Sequence, residues 1–359
     1  MDEVRYGIVG AGMMGLEHFR NLQALDGAVV TAVADPYEPS REWAHLTAGD
    51  APLTSFASHQ ELLASGLVDA VVVATPNMTH AAVLRDVLAS PLPVLVEKPM
   101  CTTIADCRTV VAATRDRDAM VWVGLEYRYM PPVARLIESV KTGAVGEVHM
   151  IAIREHRFPF LPKVADWNRF NRNTGGTLVE KCCHFFDLMG HIAEDRPVRV
   201  FASGSQAVNH RDERYDGEAP DIIDNAFVVV EYEGGTRAAL DLCMFAEGSE
   251  HQEEISVVGN AGKVEAFLPG SEFRRGTRSG GRAGVEHEVV HDGRVEHAGF
   301  HHGSSYLEHV DFLDAIRAGT PPKVDVDAGL LSVAVGVAAH RSIGSGRAVT
   351  LAEVLDEAP

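Results

Sequence analysis

The chain reads as an α/β protein of two domains, opening on a doubly wound parallel sheet suited to a nucleotide. Three observations predict this. A glycine fingerprint, Gly10-Ala11-Gly12-Met13-Met14-Gly15, follows an apolar strand directly. Strands then alternate with helices as far as Gly124. Finally, 359 residues are too many for one ordinary core.

Val4 to Val9 is the first strand, and the fingerprint turns it into a helix over about Leu16–Leu25. Gly10 permits the tight turn, Gly12 admits a pyrophosphate close to the backbone, and Gly15 lets the helix press on the strand. The helix amino terminus offers N–H groups and partial positive charge to phosphates. Ala28–Ala34 is the second strand and ends at Asp35, twenty residues after Gly15, placed to accept from the adenosine ribose hydroxyls. An acid there repels a 2′-phosphate, and Pro36-Tyr37 supplies no adjacent arginine, so the expected cofactor is NAD, with NADP the less favoured.

Ser55-Phe56 and a helix at Gln60–Ala64 lead to the strand Asp69–Ala74, apolar throughout as a strand buried on both faces should be. The turn Thr75-Pro76-Asn77-Met78-Thr79-His80 follows, with Thr79 expected to cap the helix Ala81–Ala89. Pro93–Val96 is the next strand and delivers Glu97-Lys98-Pro99. The carboxyl end of such a strand is where an open α/β sheet binds ligands, which makes Lys98 a catalytic candidate. Thr102-Thr103 begins a helix to about Arg115, and Met120–Gly124 is a further strand.

In the second half, Gly146 to Arg154 enters a strand, and His156, Arg157, Trp167, Asn168 and Arg169 fall in an irregular stretch. Gly175-Gly176-Thr177 reads as a loop entering a helix from Leu178 to about His191. On one continuous helix Glu180, His184 and Asp187 share a face, and Glu180 is placed to orient the His184 imidazole. Val198–Gly204, Asp224–Tyr232, Thr236–Phe245 and Glu253–Gly259 pattern as strands, with hairpin signals at Glu233-Gly234-Gly235 and Asn260-Ala261-Gly262. Residues 270–300 suggest a long hairpin or an excursion, Ser305–Ala318 a helix, and Leu330–Gly344 a last helix free to pack against either domain.

The bulk numbers bound the function. The composition, 46% hydrophobic and 23% charged without low-complexity tracts, is that of a soluble globular protein. The chain starts straight into a strand and no apolar run reaches the roughly 20 residues of a membrane span, so a cytoplasmic protein without a membrane partner is expected. With 51 acids against 32 bases, the net charge of −19 argues against nucleic acid and favours a small neutral substrate. The five cysteines, Cys101, Cys107, Cys182, Cys183 and Cys243, read as reduced thiols. No metal site is expected, since His301-His302 has no third ligand at a suitable spacing.

These motifs together resemble the glucose–fructose oxidoreductase, inositol dehydrogenase and rhizopine-catabolism (Gfo/Idh/MocA) oxidoreductases. The likeness rests on Gly10–Gly15, Asp35, Thr75-Pro76-Asn77 with His80, Glu97-Lys98-Pro99, Gly124 with Arg128 and Pro131, and the run from Gly175 to Asp187. The resemblance implies a Rossmann domain (1–124) and a substrate and oligomerisation domain (125–359) that is α/β with a large, mostly antiparallel open sheet, pairing copies into homodimers or homotetramers. It implies NAD contacts from Gly10, Gly12, Met13, Met14, Gly15, Asp35, Thr75, Pro76, Asn77, His80, Glu97, Lys98 and Arg128. It places catalysis on Lys98, His184 and Glu180, with Tyr127, Arg157, Trp167, Glu180, His184 and His302 as substrate contacts. Two departures stand out: Glu180 where the family has Asp, and Cys182 where it has Gly. Both alter pocket shape.

The implied reaction is NAD-dependent oxidation of a secondary alcohol on a cyclitol, sugar or sugar derivative, as in inositol 2-dehydrogenases. Such chemistry needs a base for the hydroxyl proton and a cation near the developing alkoxide, roles that suit His184 and Lys98. Two other functions keep the same fold. One is a glycosidase using resident NAD for transient oxidation and elimination. The other is a non-catalytic sugar or dinucleotide sensor, against which the presence of both Lys98 and His184 argues.

Overall fold

The structure is a computed structural model and describes residues 3–356. Contacts divide the chain into two units, 1–129 with 294–330, and 130–293 with 331–359. The expected boundary at 124/125 thus lies close to the first crossing. The stretch 294–330, expected with the second domain, instead packs with the first unit.

The first unit holds six strands: β1 (Val4–Val9), β2 (Ala28–Ala34), β3 (Thr54–Phe56), β4 (Ala70–Val73), β5 (Val94–Glu97) and β6 (Val121–Gly124). Their order is β3-β2-β1-β4-β5-β6 and every pairing is parallel. The order reverses between β1 and β4, which puts the ligand crevice of this topology over the carboxyl ends of those strands. Val71, Val72 and Val73 are wholly buried, each contributing roughly 2 kcal/mol by leaving water.

The connecting helices follow local signals. The Met13–Gln23 helix starts three residues earlier than its apolar spacing indicates, because Gly12 is its N-cap. Ser58 and Glu61 form a reciprocal capping box at His59–Ala64, and Thr103 caps Ile104–Thr114. The Thr79 cap fails. Its backbone is already helical, and its Oγ1 donates instead to Pro76 O at 2.7 Å. The Ser304–Ala318 helix completes this unit, packing on the Met13–Gln23 helix, while Trp122 donates to Glu308 Oε1 at 3.1 Å.

The second unit carries β7 (Val148–His156), β8 (Pro197–Ser205), β9 (Asn225–Tyr232), β10 (Arg237–Cys243), β11 (Glu253–Gly259), β12 (Gly262–Leu268), β13 (Glu272–Thr277), β14 (Glu286–Val289) and β15 (Val349–Thr350). They form one nine-stranded sheet ordered β14-β13-β12-β11-β7-β10-β9-β8-β15. Within this sheet, among the described residues, only β7 and β10 pair in parallel. Alternation sends Ile151, Ile153, Val228, Val230, Leu240, Ile255 and Val257 inward, where the Pro131–Lys141 and Cys183–Ala193 helices pack. The hairpin expected within 270–300 is β13–β14.

Two expectations change. Val326–Ser345 is long and apolar enough to cross a bilayer by length and composition, contrary to the reading that no run is. Half of that stretch is buried within the protein, however, as in a core helix rich in small residues such as Ala334, Ala338 and Ala339. The helix expected from Leu178 to His191 is two helices, Thr177–Glu180 and Cys183–Ala193, broken at Lys181-Cys182.

Candidate active site

In the first unit the fingerprint forms a cradle. Gly10 has φ +93, and a Cβ there would lie 2.7 Å from Ala74 C and O, so only glycine fits. A Cβ on Gly15 would lie 1.8 Å from Gly10 O, which explains the close seating of the helix on its strand. At Gly12 nothing lies within 4 Å of the Cβ position. The helix that follows has no side-chain cap and no acid in its first turn. Its positive end is left for an anion.

Asp35 closes the cradle. Oδ2 accepts from Ala11 N and Oδ1 from Tyr37 N, each at 2.8 Å. Arg41 Nη1 donates to the Asp35 carbonyl at 2.6 Å. An arginine is therefore present beside Asp35, six residues on, where inspection of Pro36-Tyr37 alone found none. Asn77 is buried, and its Nδ2 meets no hydrogen-bond partner among the described residues. An open backbone at Gly12, an acid at the ribose position and a waiting buried amide all fit a dinucleotide.

The other expected cofactor contacts fall in this unit with varied exposure. Met13 is exposed, Met14, Thr75 and Pro76 are half-buried, and Arg128 donates from Nη1 to Lys323 O at 3.1 Å. His80 is wholly buried. Its Nδ1 lies 2.9 Å from Pro99 O and its Nε2 2.9 Å from Thr75 O, so it ties the turn after β4 to the turn after β5. Burial lowers its pKa against the pull of those carbonyls. Tyr127 is buried and His302 exposed, both in this unit.

Lys98 follows β5, half-buried, with a cis bond to Pro99. Its N–H donates to Glu97 Oε2 at 3.1 Å. Glu97 is buried with Oε1 2.8 Å from His18 Nε2. Burial alone would raise this carboxyl, but His18, Lys98 and His301 override it and hold it below the usual carboxylate range.

In the second unit Glu180 ends one helix and His184 lies in the first turn of the next. The shared face expected from one continuous helix is therefore replaced by a turn between them. Both are buried, as is Asp187. Gly176, at φ +92, leads into the first of these helices, and His340 Nε2 accepts from Leu178 N at 3.1 Å. Burial depresses His340 to about 4, keeping that ring nitrogen an acceptor.

Beneath the break lies a cluster the motifs did not disclose. Lys181 Nζ is 3.1 Å from Glu155 Oε1, and Arg157 Nη1 is 3.4 Å from the same oxygen. Glu155 faces Glu253 directly across the β7–β11 ladder. Burial pushes Glu155 up to about 7, only partly offset by Lys181. Arg157 thus has a charged partner within the fold, and its guanidinium covers Phe158 at 4.4 Å. Trp167 is half-buried in the short Val164–Arg169 helix, while Asn168 and Arg169 turn inward, Arg169 onto Glu213 at 3.1 Å. His156 lies 3.2 Å from Asp241.

His18, His309, Glu155, His340 and Arg41 were missed by the motifs. For His18 a signal existed, since it stands one helical turn after Gly15, on the side that presses the sheet. The others depend on tertiary placement. No cluster of metal-ligating side chains occurs among the described residues.

Known proteins supply the context. Residues 4–125 match the GFO/IDH/MocA oxidoreductase family, NAD-binding Rossmann fold, and residues 137–351 match its C-terminal alpha/beta domain. The myo-inositol 2-dehydrogenase of Thermotoga maritima is 27% identical over 98% of this chain and 100% of its own. The 2,7-anhydro-N-acetylneuraminate hydratase of Escherichia coli is 25% identical, covering 82% of this chain and 74% of its own. A levoglucosan dehydrogenase in complex with NADH and levoglucosan shares the fold, with TM-score 0.85 and 18% identity over 97% of this chain and 99% of its own. The cradle around Gly10–Gly15 and the nine-stranded sheet are the two domains of that family, and the chain belongs to the GFO/IDH/MocA oxidoreductases as an NAD-binding member.

Proposed function

We propose that the protein is an NAD-dependent dehydrogenase of a secondary alcohol on a cyclitol, sugar or sugar derivative. The observation that carries this reading is Lys98, set at the end of β5 in the same sheet whose β1 opens the dinucleotide cradle. Bound NAD supplies the hydride acceptor. Gly10, Gly12 and Gly15, with the uncapped helix start, hold the pyrophosphate, and the Asp35 carboxylate accepts from the ribose. Met13, Met14, Thr75, Pro76, Asn77, Glu97 and Arg128 complete the cofactor side, and His80 holds the two turns together. Arg41 is committed to a backbone carbonyl, and Asp35 repels a 2′-phosphate, so NAD is preferred over NADP.

The substrate hydroxyl loses its proton to His184, which Glu180 orients. The Lys98 ammonium favours the developing alkoxide. Tyr127, Arg157, Trp167 and His302 are the remaining candidates for substrate recognition. The sheet's outer face exposes Met150 at 60% and Phe227 at 67%, with Phe201 and Val229 beside them in the pattern of a covered surface. This supports a homodimer or homotetramer formed through the sheet.

One relative favours a second reading. The Escherichia coli protein similar to this chain is named a hydratase, for a reaction with no net oxidation. An NAD-dependent eliminating glycosidase is the corresponding alternative here.

The test is NADH absorbance on incubation with NAD and a panel of cyclitols, aldoses and glycosides. NADH formation with a cyclitol or free sugar supports the dehydrogenase, whereas aglycone release without NADH moves the assignment to the alternative. Lys98→Ala should abolish turnover while NAD affinity stays within a few fold. A fully active Lys98→Ala enzyme ends the reading.

A further inference from the structure

A line of three buried side chains runs behind Lys98 within the first unit. Glu97 Oε1 lies 2.8 Å from His18 Nε2, and His18 Nδ1 lies 2.8 Å from His309 Nε2. The two imidazoles meet edge to face, centroids 5.0 Å apart. His309 Nδ1, at the far end, is buried and finds no hydrogen-bond partner among the described residues.

That end atom assigns the protons. A buried N–H without an acceptor is rarer and costlier than a bare lone pair. His309 therefore carries its proton on Nε2 and donates it to His18 Nδ1. His18 then carries its own on Nε2 and donates to Glu97 Oε1. The second Glu97 oxygen accepts the Lys98 N–H at 3.1 Å. Each donor is used once, and the line has one direction.

The charged surroundings agree. Glu97 is faced by His18, Lys98 and His301, and His309 by His18 and Glu97. Burial drives the His309 pKa well below its ordinary value, and burial with the nearby Glu126 and Glu97 pushes that of the neighbouring Glu308 well up. Within the line only Glu97 favours an extra proton on His309, and burial together with His18 outweighs it.

We propose that His18 and His309 are positioning residues that lock the Glu97 carboxylate in a single orientation and so fix the backbone of Lys98 at the end of β5. This rests on Lys98 acting in proton transfer. It also gives the late Ser304–Ala318 helix a role in holding Glu97 and Lys98 at the end of β5.

Two measurements test it. Nitrogen-15 spectra of histidine-labelled wild-type protein, with and without NAD, should show both imidazoles as the Nε2–H tautomer. An Nδ1–H tautomer at either ring overturns the proposal. In kinetics, His309→Leu should lower kcat by about tenfold or more with little change in KM, as loss of a supporting partner does, and should shift the pH profile. His309→Gln, which keeps a donor within reach of His18, should restore most of the rate. A folded His309→Leu enzyme with wild-type kcat and pH profile also overturns it. Lys98→Met separates the two claims. If it is inactive while His309→Leu is normal, only the positioning proposal fails; if it is fully active, the catalytic reading fails and the spectra decide this one.

Discussion

The two units bury their charges in opposite ways. In the first, Glu97, His18 and His309 form a line with every proton assigned, and the carboxylate is held below its usual range. In the second, two acids and two bases crowd together, and Glu155 is raised to about 7. The two ends of the line, Glu97 and His309, keep their charge states across physiological pH, whereas the compact cluster places a titration inside that range. The difference shows that buried polar groups beside a candidate catalytic residue need not be equally sensitive to their medium.

The contrast is sharpest at Lys181. Replacing it with methionine leaves the buried Glu155 only Arg157, at 3.4 Å, as a cationic partner among the described residues, and loss of one partner from a buried pair costs about 3–5 kcal/mol. Lys181→Met is therefore expected to give the largest fall in urea midpoint. A midpoint near wild type would show that the cluster is already neutral and would erase the distinction.

The pH dependence comes next. Glu155 is raised in the folded state from 4.5, so its stabilising protonated form is fully present below pH 4.5 and is lost as pH rises through about 7. Each pH unit in that window removes about 1.4 kcal/mol relative to Glu155→Gln. Glu97 and His309 are depressed, so their contributions are present at neutral pH and are lost on acidification. Urea midpoints of wild type and Glu155→Gln between these limits read the difference directly, and parallel curves would refute it.

His340 offers a milder test within the second unit. Its folded value of about 4 against 6.5 means that its support of Leu178 N is full above pH 6.5 and fades towards pH 4. His340→Leu leaves that N–H without its acceptor, at a cost of about 1–3 kcal/mol by thermal or urea unfolding at neutral pH. The smallest effect on monomer stability, about 0.5 kcal/mol or less, is expected from Phe227→Glu on the sheet's outer face. The same change should shift the protein to a smaller species in size-exclusion chromatography with light scattering. An unaltered mass would remove the sheet face as the interface.

Much of the first unit was legible because its signals are local. The short valine-rich run Ala70–Val73 has the length and branching of a strand buried on both faces, and Gly15 answers to a backbone contact with Gly10 five residues away. The break at Lys181-Cys182 was not legible. No glycine or proline marks it, and the side chain beneath it, Glu155, comes from a strand far away in sequence. Arg41 was missed for a lesser reason, since its reach back to Asp35 depends on the helix that carries it. Lys98 and His184 stood out as residue types at telling positions, but the groups that hold Glu97 in place did not.

The return of residues 294–330 to the first unit bears on how the chain is made. Synthesis proceeds from the amino terminus, and domains generally fold as they emerge. Here Trp122 lacks the Glu308 acceptor, and His18 lacks His309, until the ribosome has passed the whole nine-stranded sheet. The dinucleotide unit begins first and closes late. A fragment ending at Gly124 would carry the complete fingerprint and still be an unfinished protein.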